Sequence, residues 1–324
     1  MLKPVLCGGE ILLDFLPKEV GKGLSDSILF EKRPGGSIFN AAVGLRRLGV
    51  SASLLTKIGG DEFSQGLMDV ISKEKISTEC IKRDFKLKTT LAFAAINKEG
   101  KPEFRFYREK AADTLLTVTE IMDINPCNYS LYHFGSISLL KKPSSDAYLE
   151  VLDMFHKDEG ITSFDPNIRP SLIKNRKKYL DMFYKISEMV DILKLSDDDL
   201  EYITGDKDIK EGLRKIPHKF NSLILVTLGK NGAIGNYKNQ FIHSPAFKIR
   251  IKETTGCGDA FMAAMIYKLL NSGGFPFLSA TKLKDILTFA NATAAIVATR
   301  YGASNAMPRL SEVNKFLCSH NKGY

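Results

Sequence analysis

The sequence has no tryptophan, and its five cysteines, Cys7, Cys80, Cys127, Cys257 and Cys318, are odd in number, widely spaced and without a CxxC pair. That pattern argues against a disulfide framework or a zinc ribbon and for a reducing, cytoplasmic setting. The histidines His133, His156, His218, His243 and His320 are scattered without metal-ligand spacing. No stretch approaches the roughly 20 uncharged apolar residues that a membrane span requires. Residues 1–30 lack a basic segment followed by a clean apolar run, so no leader or membrane anchor is expected. There is no GxxxxGK[ST], and Gly229, Gly232 and Gly235 are spaced GxxGxxG, not as a dinucleotide fingerprint. Internal repeats, low-complexity tracts and interdomain linkers are absent as well.

At 324 residues the chain can bury a substantial core, as one large α/β domain or two smaller ones. Net charge is +9, but the basic residues are dispersed, and the densest cluster, Lys174-Asn175-Arg176-Lys177-Lys178, reads as a solvated helix face. Without a basic strip interleaved with aromatics, a nucleic-acid partner is not expected; a positive field suits a small polyanion such as a nucleotide.

Residues 5–15 read as an apolar strand interrupted by Gly8-Gly9-Glu10, with Asp14 at its end. Residues 16–33 are polar and Gly-rich, and Ile28-Leu29-Phe30 suits an edge strand of an appended flap. Gly35-Gly36 then leads through Ser37 and Asn40 into a helical pattern at 41–49. The glycine pair permits close backbone approach, and Asn40 projects from the first turn, although an ordinary loop-to-helix junction would look the same. Residues 51–59 read as a strand and 61–75 as an amphipathic helix behind an acidic cap. Residues 91–96 and 104–107 read as strands around the turn Lys98-Glu99-Gly100-Lys101, the second part of the flap. Arg108 follows the alternating strand and either reaches over a site or lies on the surface.

From residue 131 onward, strands at 131–134, 161–165, 192–195 and 222–228 alternate with helices at 144–156, 171–182 and 197–204. This alternation implies right-handed crossovers and a parallel sheet with helices on both faces. Binding residues then belong at the C-terminal ends of the strands. Asp165-Pro166-Asn167-Ile168-Arg169, Lys194-Leu195-Ser196 and Thr227-Leu228-Gly229-Lys230-Asn231-Gly232 occupy three such ends. Residues 236–241 read as a hairpin, and 282–300 as a long Ala-rich helix carrying Asn291.

The stretch that organises the rest is Thr254-Thr255-Gly256-Cys257-Gly258-Asp259-Ala260-Phe261, which runs into a helix at 261–270. Two glycines let the backbone curl with its N–H groups inward, and the helix adds its own unpaired N–H groups and positive dipole end. An anion cradle results. Asp259 would repel the anion unless it takes a proton beside it; a plain N-cap is the other reading.

In this order, Gly35-Gly36 with Asn40, Asp165-Pro166-Asn167-x-Arg169, Thr227-Leu228-Gly229-x-x-Gly232 and the 254–259 turn resemble the ribokinase-like (PfkB-type) carbohydrate kinases over nearly the whole chain. Phe106-Tyr107-Arg108 with Ala111-Ala112-Asp113, and Phe164 through Pro170, look most like the fructokinase branch, with 2-keto-3-deoxygluconate kinases next. The resemblance implies a single three-layer α/β/α domain over 1–324 with a mostly parallel central sheet. A small β-sheet lid would form from segments near 16–33 and 87–113 and pair two subunits into a homodimer. It implies transfer of a phosphoryl group from ATP, with Mg²⁺, to a sugar hydroxyl. Asp259 would be the base, and Gly256, Cys257 and Gly258 the anion hole. Asp14, Gly35, Gly36, Asn40, Arg108 and Arg169 would hold the sugar. Lys194, Ser196, Thr227, Gly229, Gly232 and Asn291 would line the ATP site. Asp199 would reach Mg²⁺ through water, although Ser196 and Asp199 replace the family's Asn-x-x-Glu element. A K⁺ site would involve Glu253, Thr255, Val297, Arg300, Gly302 and Ala306, with Glu253 standing where Asp is usual. A nucleoside kinase and a catalytically idle sugar-binding regulator are the remaining alternatives.

Overall fold

The computed structural model describes residues 2–18, 23–96, 102–275 and 278–320; the turn expected at 98–101 lies outside them. In chain order the elements are β1 (Val5–Gly8), β2 (Leu12–Pro17), β3 (Phe30–Gly35), α1 (Ser37–Leu48), β4 (Ala52–Ile58), α2 (Glu62–Lys73), β5 (Ile81–Arg83), β6 (Leu91–Ile96) and β7 (Pro102–Tyr107). There follow β8 (Leu131–Gly135), α3 (Ser144–Lys157), β9 (Thr162–Asp165), α4 (Arg176–Met189), β10 (Ile192–Ser196), α5 (Asp197–Thr204), α6 (Ile209–Arg214) and β11 (Leu223–Thr227). The chain closes with β12 (Ala233–Tyr237), β13 (Gln240–Ser244), α7 (Cys257–Asn271), α8 (Ala280–Ala298) and α9 (Leu310–His320).

A nine-stranded sheet runs in the order β13-β12-β11-β10-β9-β8-β1-β4-β5. From β5 to β11 every neighbour is parallel, and the β12–β13 hairpin closes that edge antiparallel. Strand periodicity sorts the core onto two faces. Val5, Cys7, Leu223 and Leu225 point to the side covered by α1, α7 and α8, whereas Leu6, Ile224 and Val226 point to the side covered by α3, α4 and α5. The fold is therefore three layers, α/β/α. α7 is buried over most of its first ten residues because it is wedged between α1 and α8. Gly44 of α1 permits this approach, since a methyl group there would come within 2.7 Å of Ala263.

The apolar stretch at 5–15 is two strands in two sheets. After β1 the chain leaves the large sheet through Gly9, where a side chain would collide with Ile38, and enters a four-stranded sheet in the order β3-β2-β6-β7. Leu12, Ala92, Phe104 and Phe106 face the large sheet across Ile137. Phe15 stacks on Phe93 at 4.6 Å, with Phe30 and Tyr107 edge-on to Phe93.

Three helix starts differ from the sequence reading, the first being α1, which begins at Ser37 so that Ser37 and Asn40 lie in its first turn. α4 begins at Arg176 because Asn175 Oδ1 accepts the Lys178 N–H at 2.9 Å, and Pro170–Leu172 forms a separate 3₁₀ turn before it. α7 begins at Cys257, so the last residues of the glycine turn are its own first turn. Among the described residues no helix is long and apolar enough to cross a membrane.

Candidate active site

A cavity of about 570 Å³ lies where the small sheet faces the C-terminal ends of the large-sheet strands. β2 contributes Leu12 and Asp14, and β7 contributes Phe104, Arg105 and Phe106. The strand ends contribute Glu10, Ser136, Asn167 and Arg169, and α1 contributes Ser37 and Asn40. Thr254, Thr255, Gly256, Gly258 and Asp259 complete the wall.

Asp259 is not an N-cap. Gly256 holds that position with φ +81°, and Asp259 sits in the first turn of α7 with its carboxylate turned toward α1. Ser37 Oγ donates to Oδ1 at 2.7 Å and Asn40 Nδ2 to Oδ2 at 2.8 Å. Burial raises the Asp259 pKa, and these two donors pull against the rise. The Asn40 amide nitrogen is thus committed to Asp259, while its Oδ1 is buried at the cavity without a hydrogen-bond partner.

Asp14 is the second carboxylate. Burial pushes its pKa up to about 7, Arg169 opposes the rise, and the carboxylates of Asp259, Glu10 and Glu253 add to it. Gly35 packs on Asp14, where any side chain would overlap the carboxylate. Gly36 has φ +108° and leaves no room for a methyl group beside the Glu10 carbonyl. Arg169 is held by Asn167, its Nη1 donating to Asn167 Oδ1 at 2.7 Å.

Three residues are placed differently from expectation. Arg108 is turned into the protein: Nε and Nη2 hold Asp113 at 2.8 and 2.7 Å, and Nη1 donates to the Ile137 carbonyl at 2.8 Å. β7 ends at Tyr107, so strand alternation no longer governs Arg108; within β7, Phe104 and Phe106 face inward and Arg105 lies on the outer face with Phe93. Cys257 lies outside the cavity wall, with Sγ directed at the Ala294 carbonyl and its amide bonded to the Thr254 carbonyl at 3.2 Å. Burial pushes its thiol pKa up to about 12, so it is no nucleophile. Asp199 accepts the Ser196 N–H at 2.8 Å and the Ile168 N–H at 2.9 Å, one on each carboxylate oxygen, and the Ser196 hydroxyl caps α5 in return.

The expected nucleotide residues form one strip. Ser196 pairs with Thr227 across β10 and β11, Thr227 with Ala233, and Ala233 with Ser244. Gly229 is in the left-handed region with open space around it, and Gly232 packs on the Ser244 carbonyl. Asn291 Nδ2 donates to the carbonyls of Ser244 and Pro245 at 3.0 and 3.2 Å, so its donors are taken. Lys194 joins this strip to the cavity. Its ammonium pairs with buried Asp165 at 2.9 Å and lies beside Gly258, where a methyl group would come within 3.1 Å of Nζ. Burial works against its charge, but Asp165, Asp199 and Asp259 outweigh burial and keep its pKa above the ordinary lysine value.

The positions expected around K⁺ adjoin one another but are occupied by protein donors. The Arg300 N–H bonds the Val297 carbonyl at 2.9 Å, Arg300 Nη1 the Ala306 carbonyl at 3.2 Å, and the Gly302 N–H bonds Glu253 Oε2 at 3.0 Å. Arg33 Nη1 reaches the same Glu253 oxygen at 3.0 Å. Thr255 lies in the cavity wall. Guanidinium groups thus already hold the carboxylate and one of the carbonyls among these positions.

Glu10, Ser37 and Ser136, to which the sequence pattern assigned no role, lie in the cavity wall. A carboxylate inside an otherwise apolar strand was the available signal for Glu10, whose Oε1 accepts the Ser37 N–H at 3.0 Å and whose Oε2 is buried without a hydrogen-bond partner.

Residues 3–310 match the pfkB family of carbohydrate kinases. A probable fructokinase-2 of Arabidopsis thaliana is 34% identical over 97% of this chain and 95% of its own length. Among solved structures, an ATP-bound fructokinase from Xylella fastidiosa superimposes with a TM-score of 0.84 at 28% identity, covering 99% of this chain and 100% of that one. A fructokinase double mutant from Vibrio cholerae O395, bound to fructose, ADP and a potassium ion, shares the fold at 24% identity, with a TM-score of 0.85 and 98% coverage of both chains. The chain belongs to the pfkB family of carbohydrate kinases, ATP-dependent enzymes that phosphorylate sugars.

Proposed function

We propose that the protein is a fructokinase in which Asp259 is the general base. The observation that carries this is the position of Asp259: a buried carboxylate at the N-terminal turn of α7, facing a sugar-sized cavity and held by Ser37 and Asn40. A sugar hydroxyl would pass its proton to Asp259 as its oxygen bonds to the γ-phosphorus and the bond to the ADP oxygen breaks. Charge on the transferring group is met by the amides of Gly256 and Gly258, by the α7 dipole and by Lys194. The Cys257 amide, bonded to Thr254, contributes less. Asp14 and Glu10 would offer acceptors, and Arg169 a donor, to the remaining hydroxyls.

ATP would lie along the strip from Ser196 to Gly232, where the open backbone at Gly229 leaves room for phosphates. Magnesium would arrive with the triphosphate. Among the described residues no three acidic, histidine or cysteine side chains gather to hold a metal by themselves, which is usual where substrate phosphates supply ligands.

The cavity's charge favours a neutral ketose over 2-keto-3-deoxygluconate. Glu10, Asp14 and Asp259 all line it, and the charge of Arg169 already faces the Asp14 carboxylate, so a substrate carboxylate would meet more repulsion than pairing. The small sheet would act as a lid that excludes water. Exposed Leu29 and Tyr107 on that sheet and its flank support pairing of two lids in a homodimer, which light scattering at graded concentrations would test. The five free thiols support a cytoplasmic location. A panel of sugars with MgATP, read by ADP release, tests the substrate: fructose should give the highest kcat/KM, and preference for the acid sugar would overturn the assignment.

A further inference from the structure

Arg33, on the edge strand β3, is gripped by two carboxylates. Its Nε and Nη2 form a fork on Glu31 at 2.9 and 3.0 Å, and Nη1 pairs with Glu253 at 3.0 Å. Its side chain is only 12% exposed and that of Glu253 19%. Glu253 directly precedes the 254–258 turn, and the carboxylate oxygen that holds Arg33 also accepts the Gly302 N–H. Gly302 lies against the guanidinium, with φ +98°; a methyl group there would come within 3.6 Å of Nη1. Ser304 Oγ donates to the Pro34 carbonyl at 3.2 Å, tying the same loop to β3 a second time. Ala303 is the floor beneath Gly256, since a methyl group on Gly256 would approach the Ala303 Cα within 2.8 Å. The loop that supports the anion hole is therefore set by Arg33, Glu253 and Gly302 together.

We propose that the Arg33 guanidinium supplies the fixed positive charge beside the 254–258 turn that a monovalent ion would otherwise supply, making turnover independent of K⁺ and coupling the small sheet to the anion hole. Arg33 is a positioning residue in this scheme. A guanidinium suits the place because it is permanently charged, planar and able to hold two carboxylates at once. Glutamate at 253, one methylene longer than aspartate, spans from the turn to both the arginine and the Gly302 amide. Arg300 on the Ala306 carbonyl adds a second cation to the same loop. Removing Arg33 would leave Glu253 largely buried with one backbone donor, a carboxylate ready to recruit a small cation.

The inference rests on the reading of the 254–258 turn as the phosphoryl cradle, and the test separates the two. Wild type, Arg33→Ala and Arg33→Lys are melted without ligands in potassium, sodium and tetramethylammonium chloride at matched ionic strength, and initial rates are measured in the same salts. Wild type should melt alike in all three and turn over within about 2-fold. Arg33→Ala should slow by about 10-fold or more in tetramethylammonium, gain a K⁺-specific rise in melting temperature, and be partly restored by K⁺ or free guanidinium. Activation of wild type by K⁺ of about 5-fold or more, or an Arg33→Ala variant that turns over at the wild-type rate in tetramethylammonium, overturns the proposal. Should Arg33→Ala not fold, the wild-type salt series and Arg33→Lys, which keeps the charge and should stay K⁺-independent, still decide. Should no sugar be turned over, the fructokinase reading fails, while a K⁺-specific rise in wild-type melting would independently overturn the role of Arg33.

Discussion

Asn40 Nδ2 donates to Oδ2 of Asp259 at 2.8 Å, joining two residues 219 positions apart. With Ser37 on the other oxygen, the carboxylate has a fixed orientation in the cavity wall before substrate arrives. A carboxylate held this way needs little reorganisation to accept a proton in the proposed reaction.

Replacing Asp259 by Asn should lower kcat about 10²–10⁴-fold with KM for ATP nearly unchanged, because the amide keeps the shape and loses the basicity. Steady-state ADP release checks both constants. Turnover close to wild type would remove Asp259 from the role of base.

Ser37→Ala removes a donor that favours the charged carboxylate, so the Asp259 pKa should rise further. In the proposed role of base the reactive form is the carboxylate, and protonation on lowering pH switches it off. The acid limb of the kcat/KM profile should therefore move to higher pH, by about 1 unit if the bond stabilises the anion as charged hydrogen bonds usually do. An acid limb that stays in place would show that the hydroxyl does not tune the base.

Asp14 links activity to stability. Its folded pKa of about 7 lies above the ordinary value of 3.8, so between these the folded state binds more protons than the unfolded state. Stability from this group therefore falls as pH rises from about 4 to 7, and the cost is complete above 7. Asp14→Asn should raise the stability of the ligand-free protein at pH 8 by about 2–4 kcal/mol, with the gain vanishing near pH 4, while sugar binding weakens. Denaturant melts at both pH values check the sign; equal gains at both would refute the titration.

Lys194 and Asp165 form a buried pair. Lys194→Met alone leaves Asp165 uncompensated and should destabilise by about 3–5 kcal/mol, whereas adding Asp165→Asn should restore most of the loss. The double variant should still bind ATP poorly, since the cation beside Gly258 is gone; isothermal titration separates that effect from folding.

Much of this architecture was legible from local pattern. The alternation from residue 131 onward, the strand-end motifs and the glycine turn announce themselves through period and spacing, since each depends on neighbours a few residues away. Errors arose where a local pattern had two solutions. Residues 5–15 carry one apolar run, yet Gly9 lets it serve two sheets, and nothing local separates those outcomes. Arg108 continues the strand by spacing, but β7 has already ended, and Asp113 captures the guanidinium.

The alternating α/β order, the glycine-bounded turn and the acid within it follow from local pattern, because backbone freedom, hydrophobic period and helix-terminus chemistry are properties of contiguous residues. What that acid touches depends on packing between distant elements. Ser37 and Asn40 meet Asp259 because α1 and α7 pack side by side, and Arg33 meets Glu253 because an edge strand of the small sheet folds back onto the loop beneath the turn. Such pairings depend on how helices and sheets stack in three dimensions, and spacing along the chain does not encode them.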